Sequence, residues 1–255
     1  MSTDPTRLSV WPGGYACQRF DVLDSTMSEA ARQADAISGP TWIMAVEQTE
    51  GRGRRGRDWS APPGNLAATL IYHPACTAQE AAFRSFMAAL ALFEALALHV
   101  DRTRLALKWP NDVLLDGGKI AGILLESAGR GPFVDWLAVG VGVNLIHAPE
   151  IRGAPFPPVS LTGQGGPEVS PEQFLAELAG NFATEEKKLD ALGFSRTRKD
   201  WLRHAARLGE IITARTPQAE VTGIFQTVDA DGNLVLETED GPRAIPAADI
   251  YFAER

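Results

Sequence analysis

The sequence is poor in cysteine and histidine, short of positive charge and without a long apolar run. Each shortage removes a class of function. Cys17 and Cys76 are the two cysteines in 255 residues. They stand far apart, so a disulfide framework is excluded, no metal-type spacing links them, and both read as reduced, buried thiols. The histidines, His73, His99, His147 and His204, are scattered, with no pair at metal-ligand spacing. Lys and Arg total 24 against 32 Asp and Glu, a net charge of −8. That balance argues against duplex nucleic acid as the main partner, because phosphate binding needs a basic face. The most apolar stretch, Ala81 to Val100, is interrupted by Arg84 and Glu94, whereas a membrane span needs roughly 18 or more residues nearly free of charge. Met1 to Val10 carries Asp4 and Arg7 without an apolar core, so it does not read as a signal peptide. A soluble, cytoplasmic protein is expected, long enough for one large core with a smaller appendage.

Periodicity organises what is present. Ser25 to Ile37 reads as a short helix opened by capping hydroxyls, and Thr41 to Val46 and Leu66 to Tyr72 read as strands. Glu80 to Leu98 is the clearest helix: Phe83, Phe86, Met87, Leu90 and Ala97 recur at helical spacing, with Arg84 and Glu94 on the other face. Leu105 to Leu115, Lys119 to Ser127 and Val134 to Leu145 read as three strands, separated by Asp116-Gly117-Gly118 and by Gly129 to Pro132 as turns. Ala148 to Pro167 is an irregular loop, of a length that is usually functional. Helices follow from Ser170 to about Leu192, with Pro171 in the first turn, and from about Ser195 to Leu208. From Gly209 the pattern changes to short β runs: Ile211 to Arg215, Glu220 to Val228, Leu234 to Glu237 and Ala244 to Pro246. The expectation is an α+β main domain over residues 1–208 and a small barrel-like domain over residues 209–255.

Three constellations can carry chemistry. Gln48 opens a run, QTEGRGRRGRDW, that places Arg52, Arg54, Arg55 and Arg57 among Gly51, Gly53 and Gly56. Clustered guanidinium groups repel one another until a polyanion arrives, and glycines let backbone N–H groups approach the same anion. A phosphate site, a solvated basic turn and an Arg/Gly RNA segment are all open readings. In the second, KWPND (108–112), a strand stops at Pro110 and then presents Asn111 and Asp112; Lys119 opens KIAGILLE seven residues later. Lys119 is either a point charge for a carboxylate or phosphate, or an ordinary strand-edge lysine. In the third, GVGVN (140–144), valines share one strand face and Gly140 and Gly142 the other, an arrangement that weakens a sheet unless something needs that space. Asn144 at its end suits a base or ribose edge, or merely a strand terminus. Dinucleotide, Walker A and nucleophile-elbow sequences are all missing.

These motifs, in this order, resemble the biotin protein ligases from about Asp24 to the end of the chain. The resemblance implies a central mixed β-sheet flanked by helices with an SH3-like C-terminal domain. It also implies a two-step reaction: biotin and MgATP give biotinyl-5′-AMP and pyrophosphate, and the acyl group then passes to a lysine of a carboxylase's biotin carboxyl carrier domain. By the same resemblance Ser25, Thr26 and Gln48 hold the ureido head of biotin, with Gly51 beside them and Gly122 and Leu124 along the acyl chain. Arg52, Arg54 and Arg57 close over carboxylate and phosphates, and Trp59 packs against the adenylate. Asn111, Asp112 and Asn144 position the nucleotide and Mg2+. Lys119 bridges the biotin carboxylate and the α-phosphate, and with Arg54 forms the catalytic pair.

Two positions depart from the family pattern. Met27 stands where Asn is usual, and Glu50 where a small residue is usual. The 23 residues before Asp24 are too few for a helix-turn-helix domain, so specific DNA is not an expected partner. Lipoate- and octanoyl-transferring enzymes share the expected fold but lack the arginine run. A non-catalytic anion-binding protein is a further alternative, and monomer and homodimer are both compatible with the sequence.

Overall fold

The structure is a computed structural model that describes residues 11–151, 156–216 and 219–252; Met1 to Val10 lies outside the described residues. Seven strands build the larger sheet: β1 (Ala16–Leu23), β2 (Thr41–Gln48), β3 (Leu66–Tyr72), β4 (Leu105–Lys108), β5 (Asp112–Leu115), β6 (Gly118–Ala128) and β7 (Trp136–Val143). Their order is β1-β2-β3-β7-β6-β5-β4. β1 runs parallel to β2 and every other neighbouring pair is antiparallel, so the sheet is mixed, as expected. The helices are α1 (Thr26–Gln33), α2 (Ala78–Ala82), α3 (Arg84–Leu96) and α4 (Pro171–Leu202).

The two sheet faces are covered unequally, and that difference places the site. Side chains alternate along a strand, so Val139, Val141 and Val143 of β7 point to one face. There they join Met87 and Phe93 of α3 and Phe174 and Phe182 of α4 in the main core. Of the described helices, the short α1 alone packs on the opposite face, where it seats Met27 and Ala30 against Ile43, Ile71 and Ala138. Beyond α1 that face of β6 and β7 is left for the segment between β2 and β3 to fold over.

Several boundaries differ from the sequence reading. α1 stops at Gln33 rather than Ile37. The expected Glu80 to Leu98 helix begins earlier, with a Thr77–Glu80 capping box, and is divided at Phe83. Arg84 is not on a solvent face: it is buried, and its Nε donates to the Tyr72 hydroxyl at 2.9 Å, with Glu186 at 4.0 Å. Leu105 to Leu115 is two strands, because proline cannot donate to a ladder and Trp109-Pro110-Asn111 turns the chain back. β1 went unread because it is an edge strand, ACQRFDVL, with mostly exposed side chains. Cys17 lies on it, exposed rather than buried, whereas Cys76 is buried.

Gly193 (φ 72°) breaks α4 where two helices were expected. The second part ends at Leu202 instead of Leu208, because the following residues pair with β4: Leu107 donates to the His204 carbonyl and Ala206 to that of Leu107. The last strands, β8 (Ile211–Arg215), β9 (Glu220–Val228), β10 (Leu234–Thr238), β11 (Gly241–Ile245) and β12 (Asp249–Phe252), form a second, antiparallel sheet in the order β11-β10-β9-β8-β12. β11 lies earlier than the expected Ala244 to Pro246, and β12 was not expected.

Candidate active site

A cavity of about 370 Å³ opens on the sparsely covered face, within the range of ordinary small-molecule sites. Its floor is β6 and β7. A side chain at Gly142 would run into the Trp59 indole, and one at Gly140 would come within 2.7 Å of Met27 Cε. The glycine face therefore exists to let those two groups approach the sheet. Met27 serves as packing here, and its own backbone N–H donates to Ser25 Oγ, which caps α1.

One end of the floor is polar and buried. Thr69 Oγ1 donates to Thr26 Oγ1 at 2.9 Å, and the Thr26 hydroxyl and backbone N–H both donate to Gln48 Oε1, at 3.0 and 2.8 Å. Ser25, Thr26 and Thr69 are all under 5% exposed. A chain of hydroxyls and an amide at this depth is suited to a neutral polar head group.

The other end is charged. Asp112 and Lys108 face each other across the β4–β5 hairpin, and Lys108 Nζ donates to Asp112 Oδ2 at 2.9 Å. Lys119 Nζ pairs with Oδ1 of the same carboxylate at 2.7 Å. Burial pushes the Asp112 carboxyl up, but the two ammonium groups override it and hold it down to about 2. Lys119 is brought to this face by a bulge. Leu114 pairs with Lys119 while Val113 pairs with Ala121, which leaves Ile120 extra. Three residues apart on a regular strand, Lys119 and Gly122 would point to opposite faces; the extra residue re-aims the lysine. Its amine then lies 3.3 Å from where a Gly122 Cβ would stand and 5.3 Å from the Trp59 ring centroid. The strand-edge reading of Lys119 is thereby excluded: Leu114 of β5 flanks it on one side, and on the other its N–H donates to the Pro157 carbonyl while its carbonyl accepts from Val159 N–H.

The arginine loop forms the lid, and its four guanidinium groups have different partners. Arg52 donates to both oxygens of Glu126 and, at 2.6 Å, to Ser28 Oγ. Arg55 and Arg57 both pair with Asp249 of β12, at 2.9 and 3.0 Å. Among the described residues Arg54 has no carboxylate within ion-pair distance; its Nη1 donates to Asn111 Oδ1 at 3.3 Å, and burial pushes its guanidinium down. Arg55 adopts a left-handed backbone (φ 58°), and the loop neck closes where Trp59 N–H donates to the Gly51 carbonyl.

Ser25, Thr26, Gln48, Arg52, Arg54, Arg57, Trp59, Asn111, Asp112, Lys119, Gly122, Leu124 and Asn144 all line this one cavity; Gly51 does not. A side chain at Gly51 would strike the Trp59 carbonyl, so its place is the loop neck. Asn144 is buried with its amide donating to the Val159 carbonyl at 3.1 Å, which fastens the 156–161 segment to β7. Glu50 is exposed, away from the wall. The sequence reading missed Thr69, Lys108, Phe156, Asp249 and Tyr251 as lining residues. Thr69 was detectable as the one small polar residue in the middle of an otherwise apolar strand. Asp249 and Tyr251 carried no local signal, since they reach the site from the second sheet.

Residues 20–144 match the Biotin/lipoate A/B protein ligase family and residues 208–253 the Biotin protein ligase C terminal domain. The class is thus that of ligases acting on biotin or lipoate. The chain is 52% identical over 233 residues to the Biotin--[acetyl-CoA-carboxylase] ligase of Paracoccus denitrificans, covering 90% of this chain and 97% of that one. It is 30% identical over 254 residues to the ligase of the same name from Mycobacterium tuberculosis, covering 93% and 90% respectively. In fold it is similar to a biotin protein ligase from Aquifex aeolicus solved with biotin and ATP, at TM-score 0.76 and 23% identity over 92% of this chain and 97% of that one. The chain belongs to the biotin protein ligase family.

Proposed function

We infer that this chain activates biotin with ATP to biotinyl-5′-AMP and then transfers biotin to a lysine of a biotin carboxyl carrier domain. The observation that carries the reading is the convergence, on one cavity of a family member, of a buried polar end, a glycine floor and the charged groups Arg54 and Lys119. The polar end, Ser25, Thr26, Gln48 and Thr69, takes the ureido head. The acyl chain runs along Gly122 and Leu124 under Trp59, which brings its carboxylate toward Lys119. A second anion, the α-phosphate, meets it there, and a fixed ammonium offsets charge that concentrates as the two approach. Arg54, hydrogen-bonded to Asn111 and, among the described residues, without a carboxylate in ion-pair distance, is the guanidinium that takes phosphate oxygens.

Mg2+ enters as part of the substrate, MgATP. Among the described residues no group of three or more His, Cys, Asp and Glu could hold it, and Asp112 is already engaged by two lysines. The acceptor lysine completes the reaction from the open side, releasing AMP. No described helix is long and apolar enough to cross a membrane; the chain is expected to act in the cytoplasm, on a carboxylase's carrier domain. The test is ATP–pyrophosphate exchange with the purified chain. Exchange that requires biotin is expected; equal exchange without biotin, or with lipoate in its place, overturns the reading in favour of a lipoate-type enzyme or a nucleotide-binding protein.

A further inference from the structure

Lys108 is the buried charge that the mechanism above leaves unused. Its ammonium is under a tenth exposed, lines the cavity, and sits between Asp112 Oδ2 at 2.9 Å and the face of the Phe156 ring at 4.6 Å. Phe156 in turn packs edge-on against Phe252 of β12, with ring centroids 4.4 Å apart. Lys108 is therefore fixed from both sides, whereas the Lys119 side chain is 30% exposed and approaches the other oxygen of the same carboxylate.

We propose that Lys108 is a positioning residue for Lys119: by holding Asp112 through one oxygen and repelling the second ammonium, it leaves Lys119 free to exchange the carboxylate for incoming anions. A lone Lys119–Asp112 pair at this depth would be a one-to-one ion pair in a weakly screened setting, and a ligand carboxylate would have to compete against its full attraction. With Lys108 present the pair of charges facing Lys119 is nearly balanced, so its preference is set by what enters the cavity. Asp112 then acts as an aiming post and Lys108 as its counterweight; neither needs to touch the reacting atoms.

This inference rests on the ligase reading, and the experiment separates the two. Wild-type protein is first assayed for biotin-dependent pyrophosphate release, which tests the reading alone. Lys108→Met and the double variant Lys108→Met/Asp112→Asn are then compared with it, following adenylate formation in single turnover, KM for biotin and transfer from supplied biotinyl-AMP. The single variant is expected to form adenylate at least tenfold more slowly, with KM for biotin within about threefold of wild type and transfer from supplied adenylate little changed. The double variant, which removes the tether as well as the counterweight, is expected to recover several-fold of that loss. A purely structural lysine would lower adenylate formation and transfer from supplied adenylate together, through loss of folded protein, whereas a positioning lysine slows adenylate formation alone. If the single variant forms adenylate within twofold of wild type, or the double variant is no faster than the single, the proposal is wrong. Should Lys108→Met not fold, Lys108→Gln carries the same comparison, because it keeps a donor for Asp112 and removes only the charge.

Discussion

The floor of the cavity and the lid over it hold their charges in different ways. On the floor, Lys108, Asp112 and Lys119 sit on hydrogen-bonded strands, two of the three are nearly buried, and a bulge at Ile120 sets the direction of the third. In the lid, Arg52, Arg55 and Arg57 are fastened by partners on other elements, Glu126 and Ser28 for the first and Asp249 for the others. Their side chains are 35–63% exposed. A strand-borne charge is aimed before any ligand arrives, which is what a developing transition-state charge requires. A loop held by exposed ion pairs can open and reclose, because each such pair contributes little. The difference predicts a division of labour in which the floor sets the rate of adenylate formation and the lid sets how long the adenylate stays.

The largest expected effect tests the floor. Lys119→Gln should form biotinyl-AMP on the order of a hundredfold more slowly, about 3 kcal/mol by comparison with deleted oxyanion donors, while biotin binding changes far less. Single-turnover adenylate formation beside equilibrium binding of biotin checks this. Near wild-type adenylate formation would remove Lys119 from the chemistry.

Arg54→Gly tests the lid. Removing one charge-assisted contact to the adenylate costs ~1.5–3 kcal/mol, enough to speed release roughly ten- to a hundredfold. The variant should still make the adenylate but leak it, labelling exposed lysines on an unrelated protein such as albumin. Off-target labelling compared at equal adenylate production is the measure; equal labelling by wild type and variant would mean that Arg54 does not retain the intermediate.

Gly142→Ala probes where lid and floor touch. A Cβ there meets the Trp59 indole, whereas one at Gly131 meets nothing within 4 Å. Overpacking of this kind costs typically ~1–3 kcal/mol, so Gly142→Ala should lower the melting temperature and weaken biotin binding, and Gly131→Ala should do neither. Matching behaviour of the two variants would separate Trp59 from the floor.

How much of this was legible beforehand follows the same division. The groups that alternate on strands could be read: the valine and glycine faces of GVGVN are the helix-facing and cavity-facing sides of β7. The arginine run and KWPND stood out by composition, and their residues do meet in one cavity. The bulge at Ile120 was not legible, because a one-residue offset between partner strands leaves no mark on either strand alone. Arg84 was misread because helical periodicity places a residue on a face but cannot say that Tyr72 and Glu186 wait on the other side. Asp249 was invisible for a different reason: its partners lie 192 and 194 residues away, in another sheet. Nothing local in Ala-Ala-Asp-Ile-Tyr distinguishes a latch from a solvated aspartate.

Asp249 is also where the comparison can be sharpened most finely. Its carboxylate holds Arg55 and Arg57 at once, so Asp249→Asn releases two lid arginines from the second sheet, while Arg54 keeps its hydrogen bond to Asn111 and loses only the longer-range attraction of Asp249. Exposed pairs of this kind contribute ~0.2–1 kcal/mol each, so the lid should open more often by a few-fold, well below the effect of Arg54→Gly. The freed guanidinium groups also become available to phosphate, and KM for ATP should fall slightly while adenylate leaks faster. Both effects should shrink with salt: at 1 M the screening length is about 3 Å, and the wild-type pairs are then weakened to nearly the state of the variant. Off-target labelling measured at low and high salt resolves the question. If the variant leaks no more than wild type at low salt, the Asp249 pairs are incidental to the lid. If it leaks as much as Arg54→Gly, at both salt concentrations, the latch and not the phosphate contact is what retains the intermediate.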